Sequence, residues 1–548
     1  MKKYLNTILN ETFQKLNFPA KEIQFDKPKE EKFGDISTNT AMLLAKELKT
    51  SPRKIAEEII SNLEYDKHLI SKIEIAGAGF INFFISDNFY KNVLKKILES
   101  EIDYGRLDLH NGQTANLEWV SANPTGLLHA GHGRQVALGK AIANLLEWIG
   151  YKVDREYYYN DAGNQMENLA KSVYARYMQI FDPDFPFADD GYAGDYIKQI
   201  AEIIYNEKKD SLKNSSDLSY FKKTGEQYNF ELIKKTLDRL NVHHNIFFNE
   251  TSLYENSTIT KTLEEFKAKG LSYEEDGAVW LKMDPAEGFQ KNKVIVKTSG
   301  EPTYRLPDIA YHIDKINRGY DLIIDIFGSD HGDTYKEVLF GVRSLGYDSD
   351  KIKVIIHQMV TFKMGDESFK MSKRSDKSYH LDDLMDDIGV DATQFFFVMR
   401  GANTHLDFDI ALAKDQSEKN PVYYLQYAHA RLCGILRNAD EHIPEYKTAD
   451  IDNLNLELIK TDEEIRLLKV LSRFPEEVLG AAENYEPHRI ISYLNEVAEN
   501  FHRFYHNNRV VDPENKPLSI SRLKICTAVK QVLKNGFDII GISAPERM

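Results

Sequence analysis

The sequence contains only two cysteines, Cys433 and Cys526, in 548 residues. Two thiols can build neither a disulfide framework nor a four-thiolate zinc site, so both classes of protein are excluded. No apolar run reaches 18 residues, which argues against a membrane-spanning helix and predicts a protein without a membrane partner. The first residues, Met-Lys-Lys-Tyr-Leu-Asn, lack the apolar core of a signal peptide. We therefore expect a cytoplasmic protein.

Two common nucleotide-binding patterns are also missing. No Gly-x-x-x-x-Gly-Lys and no Gly-x-Gly-x-x-Gly occurs, which excludes a P-loop and disfavours a dinucleotide fingerprint. The net charge of −15 argues weakly against nucleic-acid binding, because phosphate backbones attract basic surfaces. Residues 501–548 nevertheless carry eight Lys or Arg against four Asp or Glu, a net of +4. The total charge therefore decides nothing about RNA.

The N-terminal part of the chain reads as a small domain of its own. A chain of 548 residues is too long for one hydrophobic core. Helical patterns at about 3–18 and 38–63 and a strand-like run at 80–85 predict an α+β domain over residues 1–110. A polar, glycine-containing stretch ends it.

Residues 111–402 alternate between strand and helix patterns, which predicts a Rossmann-like, doubly wound parallel sheet. A charged stretch at about 165–285 interrupts the alternation and is interpreted as an insertion. The patterns are strands at 115–120, 152–158, 322–327 and 353–360 and helices at about 131–148, 309–317 and 334–345. Strand signals end near 403, and amphipathic stretches at about 416–439, 461–480, 487–508 and 519–535 predict an all-α bundle over 403–548.

His129-Ala130-Gly131-His132 follows the first strand of this sheet and precedes a helix. Unpaired N–H groups and the positive dipole end of a helix attract phosphate. Gly131 lets a nucleotide approach the backbone, and two imidazoles can donate to an α-phosphate and a leaving pyrophosphate. Taken alone, the two histidines could equally be ordinary residues near a helix start.

Lys370-Met371-Ser372-Lys373-Arg374 lies in a polar loop about 240 residues later. Transfer to an α-phosphate spreads negative charge over the transition state, and cations that engage only then lower the barrier selectively. A charge run is usually a solvated surface. Together with the histidine segment, however, it predicts a nucleotide-phosphate site.

Glu118 lies within the first strand, and Asp308 opens a later helix. An acid inside a buried strand is costly unless it is paired, and a guanidinium would satisfy it through two hydrogen bonds. The partner could be a ligand, or it could be internal, namely Arg134 or Arg305. The sequence leaves both possibilities open.

Aromatic residues interleaved with polar ones occur twice in the predicted bundle, at 423–429 and at 501–506. Such residues can stack on unpaired bases, although aromatic stripes at helical spacing more often belong to a core. Nearby basic residues favour the RNA interpretation.

With these motifs the chain resembles the class I aminoacyl-tRNA synthetases, specifically the arginyl-tRNA synthetase family, over nearly its whole length. Besides the two motifs above, the resemblance rests on Ser121-Ala122-Asn123-Pro124-Thr125-Gly126, Asp161-Ala162-Gly163-Asn164-Gln165, 192–197, 308–312, Gly328-Ser329-Asp330-His331, 421–431 and the terminal Ala544-Pro545-Glu546-Arg547-Met548.

The resemblance implies that arginine and ATP, with Mg²⁺, form arginyl-AMP, and that the arginyl group passes to the 3′ end of tRNA(Arg). It implies that His129, Gly131, His132, Lys370, Met371, Ser372 and Lys373 bind ATP, with His129, His132, Lys370 and Lys373 in catalysis. It implies that Glu118, Ser121, Asn123, Tyr304, Asp308 and Asp330 bind L-arginine. It assigns tRNA contacts to Phe33, Asn39, Tyr424, Tyr427 and Met548, and no protein ligand to a metal.

The family also implies a monomer that needs bound tRNA for activation. Two other functions compete with this assignment. An RNA-binding protein that keeps the fold without catalysis would not need the histidines and lysines. A synthetase for glutamate would want cations where Glu118 and Asp308 stand, and one for cysteine would want thiolate zinc ligands.

Overall fold

The computed structural model describes residues 1–28, 30–365, 367–369, 379–452 and 454–548. Within these ranges no helix combines the length and the apolar character needed to cross a membrane. The chain forms two compact units. Unit 1 contains residues 1–104, 432–473 and 499–532, and unit 2 contains residues 105–431, 474–498 and 533–548.

The strands of the described residues are β1 (Ile36–Thr38), β2 (Ile70–Ala76), β3 (Phe80–Ile85), β4 (Thr114–Glu118), β5 (Lys152–Tyr159), β6 (Ile246–Asn249), β7 (Ser272–Glu275), β8 (Ala278–Leu281), β9 (Lys293–Val296), β10 (Leu322–Gly328), β11 (Ile352–His357), β12 (Val360–Met364), β13 (Glu367–Phe369) and β14 (Leu406–Asp409).

The α-helices are α1 (Lys2–Lys15), α2 (Thr40–Leu48), α3 (Pro52–Asn62), α4 (Asp87–Ser100), α5 (Gly133–Trp148), α6 (Gly163–Gln179), α7 (Asp195–Lys208), α8 (Ser219–Arg239), α9 (Thr251–Glu255), α10 (Thr258–Ala268), α11 (Arg305–Asn317), α12 (Thr334–Ser344), α13 (Leu381–Ile388), α14 (Val390–Val398), α15 (Ile410–Lys414), α16 (Pro421–His442), α17 (Glu445–Thr448), α18 (Asp462–Ser472), α19 (Phe474–Glu483), α20 (His488–Asn507) and α21 (Lys516–Ile540).

Unit 2 is built on a parallel five-stranded sheet with the order β11-β10-β4-β5-β6. The chain leaves β4 toward β5 on one side and later returns to β10 on the other. The carboxyl end of β4 is therefore the point where successive crossovers diverge, which is where open parallel sheets bind ligands. The predicted Rossmann-like sheet is confirmed. The edge strand β6 lies inside the stretch interpreted as an insertion.

Unit 1 contains the antiparallel sheet β1-β3-β2 with helices α1 to α4. Strand β3 covers the predicted residues 80–85. The single helical pattern predicted over 38–63 is two helices, because Lys49 adopts a left-handed conformation (φ 51°) and Pro52 starts α3. Proline favours the first turn of a helix, where it has no N–H to lose.

The prediction that strands end near 403 is wrong. Strand β14 runs from Leu406 to Asp409 and pairs in parallel with β12, so the last small sheet of unit 2 is completed after that point. The strand predicted at 353–360 also ends early, at His357, and β12 begins at Val360. The helices expected beyond this point are present, although the stretch at 461–480 is divided between α18 and α19, with Pro475 in the first turn of α19.

Candidate active site

A strained turn follows the central strand β4. Val120 and Ser121 have φ values of 73° and 43°, which non-glycine residues rarely adopt and which end the strand before the predicted residue 120. The turn places the Ser121 hydroxyl 2.9 Å from Glu118, to which it donates a hydrogen bond. The backbone N–H of Tyr158 donates to the Ser121 oxygen at 3.2 Å. Strained backbone of this kind concentrates at functional sites.

Glu118, the last residue of β4, is buried and paired. The ammonium of Lys315 donates to its Oε2. The Tyr311 hydroxyl lies 3.0 Å from the same atom and 2.7 Å from Oε1 of Glu156, so the two carboxylates share its single proton. Lys315 also donates to Asp325 of β10 at 2.6 Å. The internal partner of Glu118 is thus a lysine, and none of the arginines in the described part of the chain bonds it.

The two arginines considered as internal partners are occupied elsewhere. Arg134 donates to three backbone carbonyls, those of Gln358, Gly401 and Thr404. Arg305 pairs with Glu337. The hypothesis that Arg134 or Arg305 neutralises Glu118 or Asp308 is therefore wrong.

Asp308 lies in the first turn of α11 and is half-buried. Among the described residues no side chain donates a hydrogen bond to its carboxylate, whereas its carbonyl bonds the His312 ring at 2.7 Å. Burial raises the pKa of the Asp308 carboxyl to about 7. His312 opposes this rise in pKa, and the nearby carboxylates of Glu250 and Glu118 add to it. This carboxylate therefore has the capacity to accept a cation.

We call the carboxylates at this edge of the sheet the acidic cluster, which consists of Glu118, Glu156, Glu250, Asp308 and Asp325. The cations bonded to it are Lys315, which joins Glu118 and Asp325, and Arg318, which donates twice to Glu156 at 2.8 and 2.9 Å. The His312 ring bonds Asp325 at 2.9 Å, and Asp325 raises the pKa of this imidazole although burial opposes its charge. Five carboxylates thus face two permanent cations and one imidazole, an arrangement that favours a cationic ligand.

Asn123, Tyr304 and Asp330 surround the same edge less closely. Asn123 follows the strained turn and binds Gln165 at 2.9 Å and the backbone N–H of Asn160 at 3.0 Å. Tyr304 precedes α11 and is 52% exposed. Asp330 is exposed in a short 3-10 turn after β10, which pairs in parallel with β4. Asn123 and Asp330 thus follow neighbouring parallel strands of the sheet, and Tyr304 directly precedes the helix that carries Asp308.

The histidine segment directly precedes α5, with Ala130–His132 in a short 3-10 turn. The rings of His129 and His132 lie with their centroids 3.7 Å apart and their planes tilted by 30°. A Cβ on Gly131 would lie 2.9 Å from the His129 ring, so the glycine makes room for that imidazole. A Cβ on Gly133 would lie 2.3 Å from the Phe397 ring, so this ring occupies the space that a side chain at position 133 would need.

Lys370, Met371, Ser372 and Lys373 lie outside the described residues. The first described residues after them, Tyr379 and His380, are bonded to the histidine segment. The backbone N–H of Ala130 donates to the Tyr379 carbonyl at 3.0 Å, and His129 and His380 form an antiparallel bridge. Tyr379 and His380 thus lie directly beside the backbone of the histidine segment.

Three family models together match most of the chain. The arginyl tRNA synthetase N-terminal domain matches residues 1–85, and the catalytic domain of class I (R) tRNA synthetases matches residues 93–399. The DALR anticodon binding domain matches residues 425–548. The chain belongs to the arginyl-tRNA synthetase family. As a member of class I it is a ligase, and its class implies the use of ATP.

Curated relatives of this arginyl-tRNA synthetase agree with the family models. An arginine–tRNA ligase of Chlorobaculum tepidum is 43% identical over 100% of both chains. One of Shouchella clausii is 44% identical over 96% of this chain and 94% of that one. The solved structure of Thermus thermophilus arginyl-tRNA synthetase covers all of both chains with a TM-score of 0.76 at 19% identity, which shows the same fold.

The residues proposed to contact tRNA lie in both units of the synthetase. In unit 1, Phe33 is 40% exposed beside Gly34, and Asn39 directly precedes α2. In unit 2, Tyr424 and Tyr427 are half-buried on α16, and Met548 is 54% exposed.

The second aromatic group is different. Phe501 and Phe504 are fully buried, so these two rings belong to the core and cannot stack on bases. Their spacing of three residues on α20 is the helical periodicity of a core stripe.

Sequence reasoning missed Lys315, Tyr311 and Glu156, which hold the acidic cluster together. One signal was available. Lys315 follows Asp308 by seven residues, two helical turns, so both lie on the same face of α11. A lysine on that face is unusual because the face is otherwise buried.

Proposed function

We propose that this synthetase activates L-arginine at the carboxyl edge of its central sheet and then transfers the arginyl group to the 3′ end of tRNA(Arg). One observation carries the proposal. The acidic cluster, which has more carboxylates than cations, surrounds Glu118 at the end of β4. The loop that follows β4 leads to the two imidazoles just before α5. A cationic amino acid and a triphosphate would therefore meet between the two groups.

Asp308 is proposed to receive the guanidinium of arginine. Within the described chain its carboxylate has no side-chain donor, and an arginine guanidinium binds a carboxylate through two parallel hydrogen bonds. Glu118 and Ser121, already oriented by each other, add a second acidic contact. Asn123, Tyr304 and Asp330 complete the proposed set from the adjacent loops.

His129, Gly131 and His132 are proposed to hold ATP. The positive end of the α5 helix dipole lies there, and the imidazoles add donors. In the reaction a carboxylate oxygen of arginine attacks the α-phosphorus, and the bond from that phosphorus to the pyrophosphate oxygen breaks. The donors stabilise the charge that develops on both groups.

Lys370, Met371, Ser372 and Lys373 are proposed to close over the same phosphates. Lys373 precedes Tyr379 by six residues, and six residues span at most about 20 Å. Since Tyr379 is bonded beside His129, this length lets the lysines reach a triphosphate held at α5. The Mg²⁺ of ATP would be bound mainly by phosphates, because the described residues contain no cluster of three or more His, Cys, Asp or Glu suited to a metal.

tRNA(Arg) is proposed to contact Phe33 and Asn39 at one site and Tyr424, Tyr427 and Met548 at another. Exposed or half-exposed aromatic rings can stack on unpaired bases. We further propose that the enzyme acts as a cytoplasmic monomer and that bound tRNA is needed before arginine is activated.

Arginine-dependent exchange of labelled pyrophosphate into ATP tests the proposal, measured with and without tRNA(Arg). We expect rapid exchange with tRNA and little without it. Exchange without tRNA would remove only the proposed tRNA requirement. No exchange under either condition, with a folded protein that binds tRNA, would favour an RNA-binding function without catalysis. Exchange driven by glutamate or cysteine in place of arginine would contradict the assigned substrate.

A further inference from the structure

Lys315 is a fully buried cation that is bonded to the acidic cluster. Its side chain is 0% exposed, and its ammonium lies between Glu118 on β4 and Asp325 on β10. The ammonium is also 4.3 Å from the centroid of the Tyr311 ring. An isolated buried ammonium would be very costly, so the two carboxylates and this lysine stabilise one another.

The contacts of Lys315 fix how Glu118 is oriented. Oε2 of Glu118 accepts from Lys315 and lies 3.0 Å from the Tyr311 hydroxyl, which Glu156 shares, and Oε1 accepts from Ser121. A carboxylate offers about four acceptor positions, so these contacts at both oxygens leave it little freedom to rotate. Glu118 therefore has one orientation before a ligand arrives.

Lys315 also supplies the charge that offsets the acids around Glu118. The groups that face Glu118 are Lys315, Tyr311 and Asp308 from α11, Asp325 from β10, Glu156 and Tyr158 from β5, and Ser121 from the turn. Burial raises the pKa of Glu118, and Lys315 opposes that rise. Without the ammonium, Glu118 would be surrounded by other carboxylates and would hold its proton to higher pH.

We propose that Lys315 is a positioning residue for arginine, which keeps Glu118 a charged and oriented carboxylate without touching the substrate itself. The inference rests on the proposed function, because it assumes that Glu118 faces arginine. A positioning lysine affects the binding of one substrate, whereas a purely structural lysine affects the whole protein. Affinity for arginine depends on it, whereas affinity for ATP does not.

Lys315→Met tests this, since methionine keeps the length of the side chain and removes its charge. Steady-state aminoacylation should show KM for arginine raised by about 30-fold or more, because breaking a buried charge pair by removing one partner is costly. KM for ATP should stay within about twofold of the wild-type value, since the substitution removes no contact to the phosphates. The rise in KM for arginine should grow as the pH is lowered, because the pKa of Glu118, already raised by burial, rises further without the ammonium of Lys315.

Lys140→Met is the matched control. Lys140 is a half-buried lysine of unit 2, and its ammonium donates to the carbonyls of Leu240 and Gly541 at 2.7 and 2.8 Å. The Lys140→Met variant loses a comparable number of hydrogen bonds but none to the acidic cluster, so its KM for arginine should equal that of the wild type. An equal rise in both variants would reduce Lys315 to a structural residue.

Tyr311→Phe keeps the test decisive should Lys315→Met fail to fold. It removes the hydroxyl that Glu118 and Glu156 share and leaves the ammonium in place. We expect KM for arginine to rise about tenfold with KM for ATP unchanged, as for loss of a hydrogen bond to a charged group. An unchanged KM for arginine in folded Lys315→Met or Tyr311→Phe would overturn the inference. A wild-type enzyme that does not charge tRNA with arginine would instead overturn the proposed function.

Discussion

Replacing Lys373 with alanine should lower the turnover of arginine activation by about a hundredfold or more, which is the usual cost of removing one donor to a transition-state charge. KM for arginine should change little, because arginine is proposed to bind at the acidic cluster and not at the lysine loop. Single-turnover formation of arginyl-AMP, measured over a range of arginine concentrations with tRNA present, separates the two effects.

Lys377→Ala is the control for Lys373→Ala. It removes the same charge four residues downstream in the same polar stretch, outside the motif. Its turnover should lie within a few-fold of the wild type. A Lys373→Ala enzyme with normal turnover, or one affected no more than Lys377→Ala, would contradict the proposed role of the loop in the transition state.

Asp308→Asn should reduce kcat/KM for arginine by about a hundredfold or more, since a buried guanidinium would lose its charged partner. The loss should fall on KM for arginine, with KM for ATP nearly unchanged. The matched control is Asp314→Asn, a half-buried acid on the same helix that pairs with Arg318. Equal KM for arginine in Asp308→Asn and the wild type would remove Asp308 from the site.

The pH dependence of arginine binding gives Asp308 a second signature. Because the pKa of its carboxyl is raised to about 7 in the free enzyme, a proton competes with arginine below that pH. We therefore expect kcat/KM for arginine to rise with pH through about 7 in the wild type, and this inflection to vanish in Asp308→Asn.

The raised pKa of Asp308 also affects the stability of the fold. The ordinary pKa of this carboxyl is 3.8. A folded pKa above the unfolded one means that ionised Asp308 destabilises the fold progressively as pH rises from about 4 to 7. Asp308→Asn should therefore melt at a higher temperature than the wild type at pH 8, which also shows that lost activity does not come from unfolding.

The parts of the fold that the sequence predicts best are those with strong local signals. The alternation of strands and helices predicts the Rossmann-like sheet, and the run of apolar residues at 80–85 predicts β3. The helix break after Leu48 was visible in Pro52, whereas β14 was missed because four residues after a long helical region carry little pattern.

The site is less predictable because its contacts join distant segments. Glu118 and Lys315 are 197 residues apart, and nothing local to either residue indicates that they are bonded. Gly133 gives a similar lesson. The sequence shows only a residue without a side chain, while the structure shows the Phe397 ring in that space. The motif histidines and lysines were visible because their chemistry is local, whereas the buried bonds that orient the acids depend on tertiary packing.

The bond between Ala130 and Tyr379 is a contact that the sequence does not show. It places Tyr379, six residues after Lys373, against the histidine segment. The convergence of both motifs on one triphosphate thereby becomes a geometric expectation that can be measured.

A crystal structure of the enzyme with arginine, tRNA(Arg) and a non-hydrolysable ATP analogue measures it most directly. We expect the ring nitrogens of His129 and His132 and the ammonium groups of Lys370 and Lys373 all to lie within hydrogen-bonding distance, about 2.7–3.2 Å, of the same triphosphate. Two results would contradict the proposed site. One is a triphosphate bound away from the start of α5. The other is a triphosphate held by the histidines with the lysines more than about 10 Å away, a distance at which salt screens exposed charges.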